Sequence, residues 1–314
     1  MNVWYISFHG GDEPNSLNSI HVYGADGREL RKALNRDSLP PDVELRELRG
    51  FAFGPDENLY VVNAYRKHSE ILQFAGTLNP NGQHDFIRIY VKGDDAVNPG
   101  MLHPFNVAFD VAGDLYVSSQ DTGVVSRYYG PKSGRGVPGT PMPVPNALAN
   151  LRSIPPGTFV PSSKDCASGL VTVRDATFGP DKNLYVADRD TNSVRKYDGQ
   201  SGQFLDQIVS EHLDKPIHLL FSRDGGSLFC GSAANNSICR YDSRVGKVSV
   251  FVEPKSGGLE GPAGMALGED DYLYVASRTS NQVLRFKSDD ATPDKKPFIH
   301  GLRDNPEFLM LVDL

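Results

Sequence analysis

Residues 175–188 read DATFGPDKNLYVAD, and four other stretches repeat the pattern. They are GFAFGPDENLYVVN from Gly50, NVAFDVAGDLYVSS from Asn106, HLLFSRDGGSLFCGS from His218 and GMALGEDDYLYVAS from Gly264. Each joins a short apolar strand to a second strand through a polar turn, where Asp and Asn bond nearby backbone and Gly takes a positive φ. The leucines that open the second strands, Leu59, Leu115, Leu184, Leu228 and Leu273, lie 56, 69, 44 and 45 residues apart. A sixth copy is divided between the termini: PEFLMLVDL at the end matches the first strand, and NVWYISF at the start matches the second. Counted through the termini, Leu273 to Val3 is 44 residues, so six units close and no seventh fits.

Two further strands follow in each unit. The third strands are SEILQFA (69–75), GVVSRYY (123–129), NSVRKYD (192–198), NSICRYD (236–242), NQVLRFK (281–287) and NSIHVYG (18–24). The fourth are HDFIRIYV (84–91), GTFVPSS (157–163), GQFLDQIV (202–209), KVSVFVE (247–253), KKPFIHG (295–301) and RELRKAL (28–34). Short alternating runs rich in Val, Ile, Tyr and Phe are strands. Four antiparallel strands at this period predict an all-β fold, a six-bladed β-propeller in one domain spanning residues 1–314. The C-terminal strand joins the N-terminal blade, which leaves neither edge unpaired.

The sequence resembles the six-bladed propeller superfamily of NHL-repeat proteins, gluconolactonase-type lactonases, diisopropyl-fluorophosphatase and strictosidine-synthase-like proteins, with streptogramin lyase one blade larger. The residues that carry the resemblance are the LYVAD-like strand, as in Leu184–Asp188, and the prolines that lead into first strands, Pro104, Pro216, Pro262 and Pro306. The resemblance implies a fold more sharply than a function, because propellers host many activities.

Composition narrows the functions. The chain has 314 residues and a net charge of −7, without a Lys/Arg cluster, which argues against nucleic acid as a partner. No apolar run approaches the ~18–20 residues of a membrane span. The start has neither a basic n-region nor a long apolar stretch, so the expectation is a cytoplasmic protein. Three cysteines, Cys166, Cys230 and Cys239, make no disulfide framework. Cys230 and Cys239 flank one hairpin and are expected to face each other.

By the resemblance, first strands line a central channel and the site lies on the face where fourth strands lead into first strands. The repeat places Arg49, Phe105, Arg174, Ile217, Ala263 and Glu307 at one mouth position, and Gly50, Asn106, Asp175, His218, Gly264 and Phe308 at the next. The second-to-third hairpins add Arg189, Arg278, Gln120, Asp121, Tyr65 and His9. Calcium, the cation of the resembled lactonases, takes six to eight oxygen ligands. At the position those enzymes use, only Glu307 matches, with Asn106 and Asp175 one residue later, and two arginines would repel a dication. Zinc needs converging histidines, and only His218 stands on a lining strand. If a divalent cation, calcium or zinc, is bound, its ligands are Glu307, Asn106, Asp175 and His218.

Two function classes follow. In the first the protein is a hydrolase or lyase of an anionic or lactone/ester-type small molecule. Arg49, Arg174, Asn106, Phe105, Arg189 and Arg278 would bind the substrate, and His218, Glu307 and Asp175 would supply acid and base, since guanidinium forks suit carboxylates. In the second it is a non-catalytic NHL-type propeller that binds a protein, peptide or small ligand on its loop face. The same mouth residues also admit a purely structural role, with Arg49–Glu307 and Arg174–Asp175 as ion pairs. The insertions 35–47 and 92–103 should rim the site face. The insertion 130–156, with a short helix expected at 146–151, should lie at the opposite end.

Overall fold

The computed structural model describes residues 2–10, 16–65, 69–93, 96–151 and 153–314. Its strands fall into six antiparallel sheets, one per repeat, and the fold is a six-bladed β-propeller. Strands β1 (Asn2–Phe8), β2 (Ile20–Tyr23) and β3 (Glu29–Leu34) form one sheet with β23 (Pro306–Asp313), in the order β23-β1-β2-β3. The split blade is therefore real: β1 and β23 pair antiparallel from Asn2↔Asp313 to Phe8↔Pro306. Next come β4 (Leu48–Phe53), β5 (Leu59–Asn63), β6 (Glu70–Leu78) and β7 (His84–Lys92), then β8 (Pro104–Phe109), β9 (Leu115–Ser119), β10 (Val124–Tyr128) and β11 (Thr158–Val160). They are followed by β12 (Val173–Phe178), β13 (Leu184–Asp188), β14 (Ser193–Tyr197) and β15 (Phe204–Val209), then β16 (Pro216–Phe221), β17 (Ser227–Ser232), β18 (Ser237–Asp242) and β19 (Lys247–Val252).

The last sheet departs from the expected pattern. It holds β20 (Pro262–Leu267), β21 (Tyr272–Ser277) and β22 (Gln282–Lys287), and no fourth strand forms over 295–301. Only the isolated bridges Phe286↔Pro293 and Val283↔Ile299 remain. Pro293 and Pro297 lack the N–H that a ladder needs, which accounts for the loss. The helix expected over 146–151 is a single 3-10 turn, Asn146–Leu148. No helix among the described residues is long and apolar enough to cross a membrane.

Contacts group the chain into two compact units. One comprises Met1–Arg49, Leu78–Asp85 and Ser210–Leu314, and the other Gly50–Thr77 and Phe86–Val209. In the first, Trp4, Phe8 and Tyr23 of the split sheet pack against Tyr274, Ala276 and Val283, and the Trp4 and Tyr274 rings lie 4.0 Å apart. In the second, Tyr60 meets Tyr90 and Phe109 edge-on at 4.9 and 5.0 Å, and Tyr116 repeats the arrangement with Phe159 and Phe178. The aromatic of the Leu-Tyr-Val strand thus glues its own sheet to the next first strand, burying large apolar area in edge-to-face geometry.

The turn carboxylates have a second role beyond forming turns. The hydroxyls of Tyr60, Tyr116, Tyr185 and Tyr274 donate to Asp56, Asp110, Asp181 and Asp270 at 3.0, 3.2, 3.0 and 2.7 Å. A buried tyrosine needs such a partner for its O–H. Cys230 and Cys239 are direct cross-strand partners in β17 and β18, and both are free thiols.

Candidate functional site

The mouth positions read from the repeat are the second and third residues of the first strands β4, β8, β12, β16, β20 and β23. A common backbone device aims them. The residue before the strand takes a left-handed conformation in four repeats, at Glu47 (φ 50), His103 (φ 53), Lys215 (φ 52) and Gly261 (φ 61). The ladder between first and second strands then shifts register after the first strand residue, as at Pro104, Val173, Pro216 and Pro262. In three sheets a buried side chain at the end of the second strand ties down the connection. Ser277 Oγ accepts from the Glu260 N–H at 2.9 Å, Ser232 Oγ from the Asp214 N–H at 2.8 Å, and Asp188 from the N–H groups of Val171 and Thr172.

In the first unit the mouth residues converge on Glu307. Its carboxylate is 3% exposed and lies 2.7 Å from Arg49 and 3.2 Å from Arg278 Nε. Burial alone raises the Glu307 pKa, but Arg278 and Arg49 overcome it and hold the carboxyl down at about 2. Arg49 is itself buried and also faces Glu47, with 3.6 Å from guanidinium to carboxylate. His9 completes the group, 4.0 Å from Glu47, with Nδ1 bonded to the Gly10 carbonyl at 3.1 Å. Burial first, then the positive charge of Arg49, keeps the His9 pKa below that of an ordinary imidazole. The accessible part of the cluster is Arg278, His9 and Glu47, whose side chains are 30%, 18% and 21% exposed.

His218 stands apart from this cluster in its bonding. It is buried, its Nδ1 accepts from the Met265 N–H at 3.3 Å, and its ring meets Phe308 edge-on at 4.9 Å. Gly264 leaves room for the same approach: a Cβ there would lie 2.6 Å from Phe308 Cα. Neighbouring first strands are thereby held at the distance of a backbone contact.

In the second unit Asn106 donates a short hydrogen bond to the buried Asp175 carboxylate. Gly50 presses against the other side of Asn106, since a Cβ on Gly50 would sit 1.9 Å from Asn106 Oδ1. Arg174 lies over the Phe105 ring at 5.4 Å and donates to the Val173 carbonyl at 3.3 Å. Arg189 opens a 3-10 turn, Arg189–Thr191, and its N–H donates to the Thr172 carbonyl at 2.8 Å. Asp121 lies 3.3 Å from His103.

The residues predicted as acid and base are thus brought together in pairs, each engaged with another predicted residue or with backbone. The residues that sequence reading underweighted are His9 and Glu47. Both lie in irregular segments: the repeat puts His9 on a second-to-third hairpin, and Glu47 ends the 35–47 insertion that precedes a first strand.

The cation of the resembled lactonases does not fit these residues. Glu307 is covered by two guanidinium groups, and Asn106 is committed to Asp175. Among the described residues no three His, Cys, Asp or Glu side chains converge in a metal-binding group.

No known protein-family profile matches the chain, and no curated protein resembles it in sequence. Solved structures do share its fold. A nidogen/laminin complex contains a chain similar over 99% of this sequence and 98% of its own, at 13% identity and a TM-score of 0.68. A streptogramin B lyase is similar over 98% and 91% of the two chains, at 12% identity and a TM-score of 0.58. An inactive histidine variant of virginiamycin B lyase from Staphylococcus aureus, bound to quinupristin, covers 99% of this chain and 92% of its own at 13% identity, with a TM-score of 0.57. At such identities the likeness speaks for the fold alone.

Proposed function

We propose that this protein is a recognition propeller, binding a polar peptide or protein segment at the strand ends that carry Arg278, His9 and Glu47. The observation that carries this reading is the bonding of Glu307. A carboxyl held near a pKa of 2 between two guanidinium groups stays ionised at neutral pH and has no proton to give. Its neighbours follow the same pattern, with Asp175 accepting from Asn106 and His218 accepting from backbone. These groups fasten first strands to one another. The part of this network that reaches solvent is a charged rim of one guanidinium, one carboxylate and one imidazole, each braced by the ion pairs beneath it. Such a rim suits the mixed hydrogen bonding of a peptide chain, and a fixed fork such as Arg278 gives orientation. That a propeller of the same fold occurs in a nidogen/laminin complex is consistent with this role.

A second reading rests on His9. Its lowered pKa leaves a neutral, partly exposed imidazole beside Arg278, the arrangement of a base next to an anion-binding group. On that reading the protein is a hydrolase or lyase of an anionic or lactone/ester-type substrate, with His9 in place of His218 or Glu307. Peptide display selection separates the two. Recognition predicts enriched sequences whose binding is lost in Arg278→Lys, which removes the planar fork but keeps a positive charge beside Glu307 and so the fold. A lactone or ester turnover abolished by His9→Ala, with no peptide enriched, would overturn it.

A further inference from the structure

A cavity of about 360 Å³ opens in the first unit beside the split blade. That volume lies within the ~300–1,000 Å³ range of small-molecule sites. Ile299, bridged to β22, and the residues after it line one side of the cavity. The β2–β3 turn closes one end, and only glycine fits there, because a Cβ on Gly27 (φ +76) would lie 2.3 Å from the Phe298 carbonyl oxygen.

Two kinds of surface line the cavity. Phe8, Leu17, Ile299 and Leu302 make an apolar wall. The β2–β3 pair makes a polar one, since the register sets His21 opposite Lys32 and Tyr23 opposite Glu29. His21 and Tyr23 are two apart on one strand and so share a face. His21 is bonded through Nε2 to Ser19 Oγ at 2.8 Å, and its Nδ1 lies 3.0 Å from the Glu29 carboxylate, which also lines the cavity. Tyr23 differs: the residue is 4% exposed and lines the cavity, and no residue among those described bonds its hydroxyl, which is open to the cavity. Lys32 and Arg303 stand at the rim, and neither has an ion-pair partner among the described residues.

We propose that this cavity is a binding site for an amphipathic organic carboxylate, its hydrocarbon part against Phe8, Leu17, Ile299 and Leu302 and its carboxylate between the Tyr23 hydroxyl, Lys32 and Arg303. The ligand offers the Tyr23 O–H an acceptor in place of water and brings the second negative charge to a wall that sets Lys32 and Arg303 against the single carboxylate of Glu29. A neutral ligand of the same shape would leave both cations unmatched, and a bare anion such as inorganic phosphate would leave the apolar wall wet.

The single tryptophan reports on the site, because Trp4 shares a core cluster with Tyr23 and lies 6.1 Å from Phe298. The full chain is titrated with hexanoate, hexanamide and inorganic phosphate while Trp4 emission and heat release are followed. Hexanoate is expected to saturate, with hexanamide and phosphate each about tenfold weaker or more. Lys32→Glu with Arg303→Glu should weaken hexanoate about tenfold without lowering the melting temperature, both residues being exposed. Tyr23→Phe should weaken it several-fold. Equal binding of hexanamide, indifference to the double charge reversal, or no saturable hexanoate signal at about 1 mM would each overturn the proposal.

Discussion

Arg49 and Glu307 are 258 residues apart in sequence and 2.7 Å apart in space, joining β4 to β23 as a buried ion pair. Removing one partner leaves the other buried charge with one remaining neighbour, Arg278 for Glu307 and Glu47 for Arg49, which costs up to about 3–5 kcal/mol, whereas replacing both costs less than the sum. Glu307→Gln and Arg49→Met should therefore each lower stability by that order in urea melts. The double variant Arg49→Met, Glu307→Met should recover most of the loss. Additive losses would mean that the pair is not the stabilising unit.

The same pair sets an acid limit. The Glu307 pKa falls from an ordinary 4.5 to about 2 on folding, so its contribution is complete above the unfolded value. It is lost as pH drops from about 4.5 toward 2. Melting temperature measured across that window should fall more steeply for the wild type than for Glu307→Gln. Parallel profiles would remove Glu307 from the account.

Glycine is required at Gly50 and Gly264 by close approach. The two should respond differently to alanine. At Gly264 the obstructing atoms are backbone of Phe308 and Leu309, which cannot move aside, so Gly264→Ala should be severe, on the order of 3 kcal/mol or more. At Gly50 the nearest atoms belong to the Asn106 side chain, so Asn106→Ala should partly rescue Gly50→Ala. A double-mutant cycle with zero coupling would contradict the contact.

Much of this arrangement could be read from the sequence, for a physical reason. Period-2 alternation and the Leu-Tyr-Val strands mark out equivalent units, and Arg49 and Glu307 accordingly stand at the same place, second in their first strands. The split blade followed from the same pattern at both termini. What alternation does not encode is which long side chains meet across sheets. Arg278 reaching Glu307, and His9 meeting Glu47, depend on hairpin and connection geometry far apart in the chain. The fourth strand of the last unit was misread because KKPFIHG carries strand-forming Phe and Ile, while Pro293 and Pro297 remove the donors a ladder needs.

The cross-strand cysteines give the last prediction. Cys230 and Cys239 are buried and directly opposed in β17 and β18, whereas Cys166 is partly exposed on the connection between β11 and β12. Burial pushes the Cys239 thiol up to about 11, and it donates to the His212 carbonyl at 3.2 Å. The thiolate is the reactive form, so at pH 8 only about one Cys239 in a thousand is reactive at any moment. Titration of the native protein with a disulfide reagent should therefore modify one thiol promptly, Cys166, and all three only in denaturant. Cys166→Ser should abolish the prompt phase. Prompt modification of two or three thiols in the folded protein would mean that the β17–β18 hairpin opens on the timescale of the reaction.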